Sequence, residues 1–506
     1  MGGVAGKGKG KGGPEDPEGK GKGKGKDKDK GKGKDKDKGP HASHYYIDGK
    51  IYDFSEWQFL HPGGDAFFAV SFQRDISAAV HAYHRNPDKL TPFLQKYEVK
   101  VEEENPRDVL VKDMNAPAFI LPPAFDARRD VPIYDWDKPF MKVLRSKINA
   151  PEMQKRIRSA DYWFDFTAWC ILALHVFVCF PAVYWRLLPG WLIVVLQVIT
   201  RTSLAGVGHY HIHRAKDGMT DYFDCFFDIQ YVGASMVLAD GHVMLHHLYT
   251  ETPADVKRTV FNFMTTIPRL LRIPIFTAQK FGEFFTGHLL RFSDISLMQP
   301  TSWEEFSGQA HSFFHEMRVI RWMMLAEMLW AALCGGIVVW FLQFFFTVWT
   351  NMFQIVASHD FEVARDEQEY SGLDWGVFQV QHALDTYVTG IPHIDIFLTA
   401  GLGCHRAHHV LPYQKSGFAN IASQQALMET CKEFNVEWAP ARNLLLDRFL
   451  PLMWHYLTVP AQIPAAPAPI LIGGTGFSGF VKEHLKFDVI YRCLEDVGRG
   501  FQGASL

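Results

Sequence analysis

Apolar and polar positions divide the chain into stretches of different character. Residues 1–40 carry almost no apolar side chain and run "GKGKGKDKDKGKGKDKDKG". Such a composition cannot bury enough apolar surface to offset chain entropy, so a disordered tail is expected. Residues 44–101 mix short apolar runs, aromatic residues and charges, the pattern of a small water-facing domain. A Pro-rich connector follows at 105–140. The run 162–185, "YWFDFTAWCILALHVFVCFPAVYW", is long enough to span a bilayer, which takes about 20 mostly apolar residues. After the short turn "RLLPG", residues 190–207 form a second candidate span, interrupted by Arg201. The third apolar run, 322–358, would as one straight helix greatly exceed a bilayer of roughly 30 Å. A break at Cys334–Gly336 is therefore expected, giving a hairpin with a short first arm. Trp and Tyr near the ends of these runs suit the membrane interface.

Two hairpins place residues 1–161, 208–320 and 359–506 on one side of the membrane. Arg318 and Arg321 flank the second hairpin as the positive-inside bias expects, and Arg186 in the outer turn runs against it. Residues 259–292 are amphipathic and broken by prolines, as in helices lying along a membrane surface.

Composition changes this picture little. The 506 residues suggest roughly two to four domains. The net charge of −3 hides the Lys-rich tail. That tail can touch anionic lipid or RNA by charge alone, but its interspersed Asp residues argue against a nucleic-acid arm. The N-terminus lacks the apolar core of a signal peptide, and Gly6 stands where a myristoylation pattern wants Ser or Thr. The seven cysteines show neither disulfide nor zinc spacing, which points to a reducing compartment.

Histidines carry the chemistry. In the small domain "HPGG" spans His61 to Gly64 and "HAYH" spans His81 to His84. Pro-Gly-Gly turns present the preceding side chain at a fixed angle, and two imidazoles on opposite walls of a pocket can hold a haem iron axially. Three further groups follow. "HYHIH" holds His209, His211 and His213; "HVMLHH" holds His242, His246 and His247; "HRAHH" holds His405, His408 and His409. Spacings of three and four put imidazoles on one helix face, as in metal sites of the HExxH type. All three groups fall on the same expected side of the membrane. His246 and His247 point about 100° apart on a helix, so each can serve a different metal. Imidazole suits Fe, Zn, Cu and Ni alike; an attached haem favours iron, since redox-inert zinc has no use for an electron donor.

The small domain resembles cytochrome b5. "HPGG" matches the first haem ligand, and "RDISAAVHAYH" is similar to the segment ending in the second. The resemblance implies His61 and His84 as axial ligands of haem b, with His81 as fallback for the second. The three histidine groups resemble the boxes of the integral-membrane fatty acid desaturase superfamily, with the flanking "HHLYTETPAD" and "HHVLP" in keeping. That resemblance implies two non-haem irons held by His209, His213, His242, His246, His247, His405, His408 and His409. His359 in "VASHDFEV" is the expected ninth ligand, and His382 in "QVQHALD" is the runner-up. His211 stands as an orienting or substitute residue, and Asp240 and Asp360 as candidates for orienting imidazoles from outside.

The implied fold is multi-domain: a small α+β cytochrome b5-like domain, then an all-α membrane domain of two transmembrane hairpins, about four spans, with a cytosolic helical cap. The expected limits are a tail at 1–40, the haem domain at 41–104, a linker at 105–160, the desaturase domain at 161–440 and an extension at 441–506. The implied activity is O2-dependent insertion of a double bond into a fatty acyl chain of acyl-CoA, phospholipid or sphingolipid. Electrons come from NADH through a separate cytochrome b5 reductase and the fused haem, and no nucleic acid is involved. The expected setting is the endoplasmic reticulum membrane, crossed several times, with both termini and the active site cytosolic. A hydroxylase or sphingolipid-directed enzyme of the same superfamily is the alternative, followed by a non-catalytic haem-binding membrane protein. The third box begins with His405 where front-end desaturases often carry Gln, so no double-bond position follows. The segment "ILIGGTGFSG" has the Gly474-x-Gly476-x-x-Gly479 spacing of a dinucleotide-binding turn. The chain after it is too short for that fold, and a loosely docked tail is expected.

Overall fold

The computed structural model describes residues 44–62, 68, 75–100, 132–214, 223, 226, 242–252, 255, 265–283, 323–361, 371–463, 468–491, 493 and 494. Strands β1 (His44–Ile47), β2 (Lys50–Asp53) and β3 (Glu98–Val99) form an antiparallel sheet in the order β1-β2-β3. Tyr45, Ile47, Tyr52 and Phe54 pack beneath it with Ile76 and Val80, the latter on helix α1 (Ser77–Tyr83). Gly63 and Gly64 of the HPGG turn lie outside the described residues.

Strand β4 (Ile133–Tyr134) leads into α2 (Pro139–Ile148) and α3 (Pro151–Cys179). Both helices begin with Pro at the first position, where its missing N–H is no loss. Helix α3 spans 29 residues, about 43 Å at 1.5 Å per residue. Its first turns are polar and its second half apolar. It stops just before Pro181, and the turn to α4 (Gly190–His211) follows. Tyr162, Trp163, Phe166, Trp169 and Phe177 are exposed on α3, the face an apolar solvent would cover. Helix α4 is buried from Thr200 to His211.

Helices α5 (Met323–Leu333) and α6 (Ile337–Ala357) are separated at Cys334–Gly336, where the sequence pattern places the break; Gly335 takes a φ of 74°. Among the described residues two helical segments are long and apolar enough to cross a membrane, Pro151–Tyr184 and Gly190–His211; Met323–Leu333 and Ile337–Asn351 are shorter apolar stretches. Of the four crossings expected from hydropathy, the described residues thus show two candidates by length and composition, and four are not shown.

Strand β5 (Ser371–Leu373) pairs in parallel with β4, ahead of α7 (Trp375–His382). Strand β6 (Thr386–Tyr387), α8 (His405–Val410) and α9 (Gly417–Glu433) follow, and β7 (Arg442–Asn443) closes on β6. One apolar core joins Phe164, Leu204, Val207, Tyr210, Trp375, Ala407 and Leu427. At Gly206 the backbone of Ala400 and Gly401 comes so near α4 that an added Cβ would lie 2.6 Å from it. Only glycine permits that crossing, which brings the third histidine box against the first.

The C-terminal segment is packed more firmly than a loosely docked tail. Strands β8 (Gln462–Ile463) and β9 (Ile470–Leu471) form a hairpin, and α10 (Gly476–Leu485) follows. Glu483 of α10 is fully buried and accepts from the Arg269 backbone and guanidinium and from Ala461 N. The glycine pattern has a steric cause: a Cβ on Gly473 would lie 2.1 Å from the Gly479 carbonyl oxygen, so the strand-to-helix turn closes only without side chains.

Three membrane-type helices meet at a buried polar network. Glu327 of α5 accepts from Arg201 of α4 and lies 3.0 Å from Nε2 of His175 on α3. His175 Nδ1 meets the Thr200 hydroxyl at 2.6 Å. An ion pair this deep stabilises little against apolar replacement, but losing one partner strands a charge. Glu327→Leu should destabilise the protein by roughly 3–5 kcal/mol. The double change Arg201→Met with Glu327→Leu should recover most of that loss. Unfolding in detergent checks both; a double variant as unstable as the single would remove the network from this role.

Candidate metal centre

The boxes reach the site from four directions. Helix α4 delivers His209 at its buried end, and the turn that follows its last residue, His211, delivers His213. Residues 242–246 form a π-turn, and the His247 N–H bonds to the His242 carbonyl five residues back at 3.1 Å. That wider turn brings His242 and His247 together, which the three-and-four spacing of an α-helix would not. Helix α8 presents His405 and His409 on one face and His408 on the next. His359 follows the end of α6, its carbonyl held by Arg448.

Two groups result. Ligand atoms of His209, His213, His242, His247 and His408 lie within 4.8 Å of one another, and so do those of His246, His359, His405 and His409. All nine side chains are buried. His246 and His247 fall into different groups, as do His408 and His409. The structure therefore assembles every histidine expected from the three boxes together with His359. His382 stays outside; its carbonyl accepts from His359 Nδ1 at 2.8 Å and its ring stacks on Phe378. His211 also stays outside, buried against Phe223 and 3.8 Å from Asp165.

The nitrogen geometry suits cations. In the first group Nε2 of His242 lies 2.7 Å from that of His209 and 3.0 Å from that of His247, and His408 Nε2 is 3.0 Å from His209 Nε2. In the second, His405 Nε2 lies 3.0 Å from those of His359 and His409. Ligand nitrogens at right angles about one ion, each about 2.1 Å from it, stand about 3 Å apart. Burial holds His213, His247, His359, His405, His408 and His409 well below the usual imidazole pKa, with neighbouring imidazoles adding to the effect. The neutral ring is the ligating form. Neither ring nitrogen of His213 has a hydrogen-bond partner among the described residues.

Outer contacts set the tautomers of the second group. His246 Nδ1 donates to Asp255 at 2.9 and 3.0 Å, His409 Nδ1 to the Gln379 side-chain oxygen at 2.9 Å, and His359 Nδ1 to the His382 carbonyl. Each donation leaves Nε2 a lone pair facing inward. The sequence reading proposed Asp240 and Asp360 for this task. Asp240 lies outside the described residues, and Asp360 pairs instead with Arg448 at 3.2 Å. Asp255 and Gln379 were missed; "TETPAD", eight to nine residues past a box histidine, was the one available signal for Asp255.

In the small domain the His61 and His84 ring centres stand 6.0 Å apart. Two imidazoles on opposite sides of one iron, at about 2 Å per nitrogen, have centres roughly 6 Å apart. His84 Nδ1 donates to the Val80 carbonyl at 3.0 Å, which turns Nε2 toward His61. His81 is committed elsewhere, its ring stacked on Trp136 at 4.5 Å and its Nε2 2.7 Å from Asp48.

His246→Ala should abolish iron binding and activity together. Asp255→Ala should weaken iron retention roughly 10–100-fold, the usual scale for partners behind a ligand. Chelator competition on purified protein measures both, and unchanged retention in Asp255→Ala would leave that carboxylate without an orienting role.

Comparison with known proteins bears on the same residues. The family model "Fatty acid desaturase" matches residues 185–440, and "Cytochrome b5-like Heme/Steroid binding domain" matches residues 34–101. The chain is similar to "Acyl-lipid (8-3)-desaturase B" of Dictyostelium discoideum, 21% identical over 442 residues covering 78% of this chain and 86% of that protein. It is also similar to "Delta(5) fatty acid desaturase A" of the same organism, 40% identical over 53 residues, which span 10% of this chain and only 11% of that protein. No solved structure matches. With both histidine groups inside the matched region or at its core, and the His61–His84 pair inside the other, the chain belongs to the fatty acid desaturase family, as an oxidoreductase carrying an N-terminal cytochrome b5-like domain.

Proposed function

We propose that this enzyme is an acyl-lipid desaturase that inserts a double bond into a fatty acyl chain in an O2-dependent reaction. Two irons are held by His209, His213, His242, His247 and His408 on one side and by His246, His359, His405 and His409 on the other. His61 and His84 would hold haem b, which would supply electrons drawn from NADH through a separate reductase. The observation that carries the reading is the inward convergence of Nε2 atoms in two adjoining groups. The similarity to an acyl-lipid desaturase over most of the chain supports an acyl-lipid substrate.

When bound, the iron pair supplies the O2 chemistry that removes hydrogen from an unactivated chain, and the haem supplies electrons. The protein's own residues do the rest. Asp255 keeps the His246 proton on Nδ1, Gln379 does the same for His409, and burial of all nine imidazoles excludes water from the reacting region. We place the chain in the endoplasmic reticulum membrane with four crossings, α3, α4 and the α5–α6 hairpin, leaving the site and both termini cytosolic. The domain limits are those read from the sequence.

Expression in a host followed by gas-chromatographic mass spectrometry of total fatty acids tests this. A new unsaturated chain is expected. New hydroxyl groups would transfer the enzyme to the hydroxylases, and an unaltered lipid profile from protein lacking two irons would end both readings. His61→Ala should lose turnover on endogenous electrons yet keep its non-haem iron; full activity in that variant would exclude the fused haem as the required donor.

A further inference from the structure

The two metal-binding units touch through one side chain. Tyr83 is the last residue of α1 and is bonded directly to His84. Its hydroxyl donates to the Val243 carbonyl at 2.8 Å, the residue next to His242. Its ring lies nearly parallel to that of His213, with centres 6.0 Å apart and planes 20° apart. The contact is not a chance brush of surfaces. Ala78 and Ala82 on α1 are buried in the same core as Leu144 and Tyr210. Arg85 and Asn86 bond to Asn149, the latter at 2.8 Å, and Arg145 donates to the His81 carbonyl. With His81 stacked on Trp136, α1 is held at several points along its length.

Resting on the proposed function, we infer that Tyr83 couples the haem to the five-histidine group, making that group and not the four-histidine one the point of electron entry. Electronic coupling falls more slowly through bonds and hydrogen bonds than through space. The covalent link from His84 to Tyr83, and the bond from Tyr83 to the backbone beside His242, form a short connected route. Nothing comparable runs from the haem domain to His246, His359, His405 or His409 among the described contacts. With haem held by His61 and His84 and an ion held by the first group, one electron would pass from the haem (ferrous to ferric) to that ion (ferric to ferrous). No bond breaks and no proton moves. Tyr83 touches neither metal; it acts through His84 and His213 as a positioning residue.

The test uses the full chain loaded with haem and ferric iron, without O2 or lipid. One equivalent of reductant is given to the haem, and its Soret band is followed as the electron leaves. Tyr83→Ala should slow this transfer roughly tenfold or more, on the scale at which residues behind metal ligands act. Tyr83→Phe, which keeps the ring and loses the hydrogen bond, should slow it less. Haem spectrum, haem midpoint potential and iron content should match the parent in both. Parent-like rates in both variants would overturn the inference. So would slowing that appears only with a shifted potential or lost iron, since Tyr83 would then be merely structural. A parent protein that carries both groups and never oxidises its haem would instead overturn the fused-donor reading, and this inference with it.

Discussion

Nine buried imidazoles, seven of which face one another through Nε2 at about 3 Å, create the constraint on which the rest of the structure depends. Two neutral acceptor nitrogens repel at that distance, and burial opposes relieving the repulsion by protonation. Cations between the nitrogens resolve it. The surroundings are consistent with that solution. Asp255, Gln379 and the His382 carbonyl take the Nδ1 protons of the second group, so the inward face is left with lone pairs. A buried cluster of this kind must be held from outside, because its members do not attract one another until the ions are present.

The holding is done by helix crossings and buried ion pairs. Gly206 lets the turn before the third box lie against α4. Tyr210, next to His209, donates to the Gly401 carbonyl and accepts from Asn420 of α9, tying the first box to the third. Arg406, in the middle of the third box, is buried against Asp385 at 3.2 Å, and Arg448 holds the loop carrying His359. Farther along α4, Arg201 pairs with Glu327 through one guanidinium nitrogen in the apolar part of the bundle, where little water replaces a lost partner. The apolar helices thus form a rigid frame, and the frame sets the positions of side chains that would otherwise separate.

Local pattern made some of this legible. The apolar runs locate α3, α4 and the break at Gly335, and the i, i+4 pair on α8 follows from helix geometry alone; His213 reaches the site from the turn after α4. The division of His246 from His247 also follows, since neighbours on any helix point apart. The pairing of His242 with His247 did not, because it needs a π-turn that no spacing rule signals. Nor did the partners behind the ligands: Asp255 and Gln379 reach their histidines through tertiary contacts, whereas Asp360, beside His359 in sequence, faces Arg448. The firm docking of the C-terminal segment, expected to be loose, escaped the sequence for a related reason: Glu483 is held by Arg269 and Ala461 through tertiary contacts, and the glycines before it answer to a steric need between Gly473 and Gly479.

The two histidine groups are not equivalent, and their difference follows from where the chain places its charges. Three of the four members of the second group lean on an acceptor, one of them the Asp255 carboxylate, which raises ligand basicity and stabilises higher positive charge at the ion. In the first group His213, His247 and His408 have no hydrogen-bond partner on Nδ1 among the described residues. Rings that lean on no acceptor are weaker ligands, which favours the lower charge state. The haem domain docks at this first group, through Tyr83 and His213. Reduction lowers the charge of an ion, so the side that better tolerates low charge is the side at which an electron is most easily received. Charge placement and domain docking, set by unrelated parts of the chain, therefore both favour the entry point proposed for Tyr83.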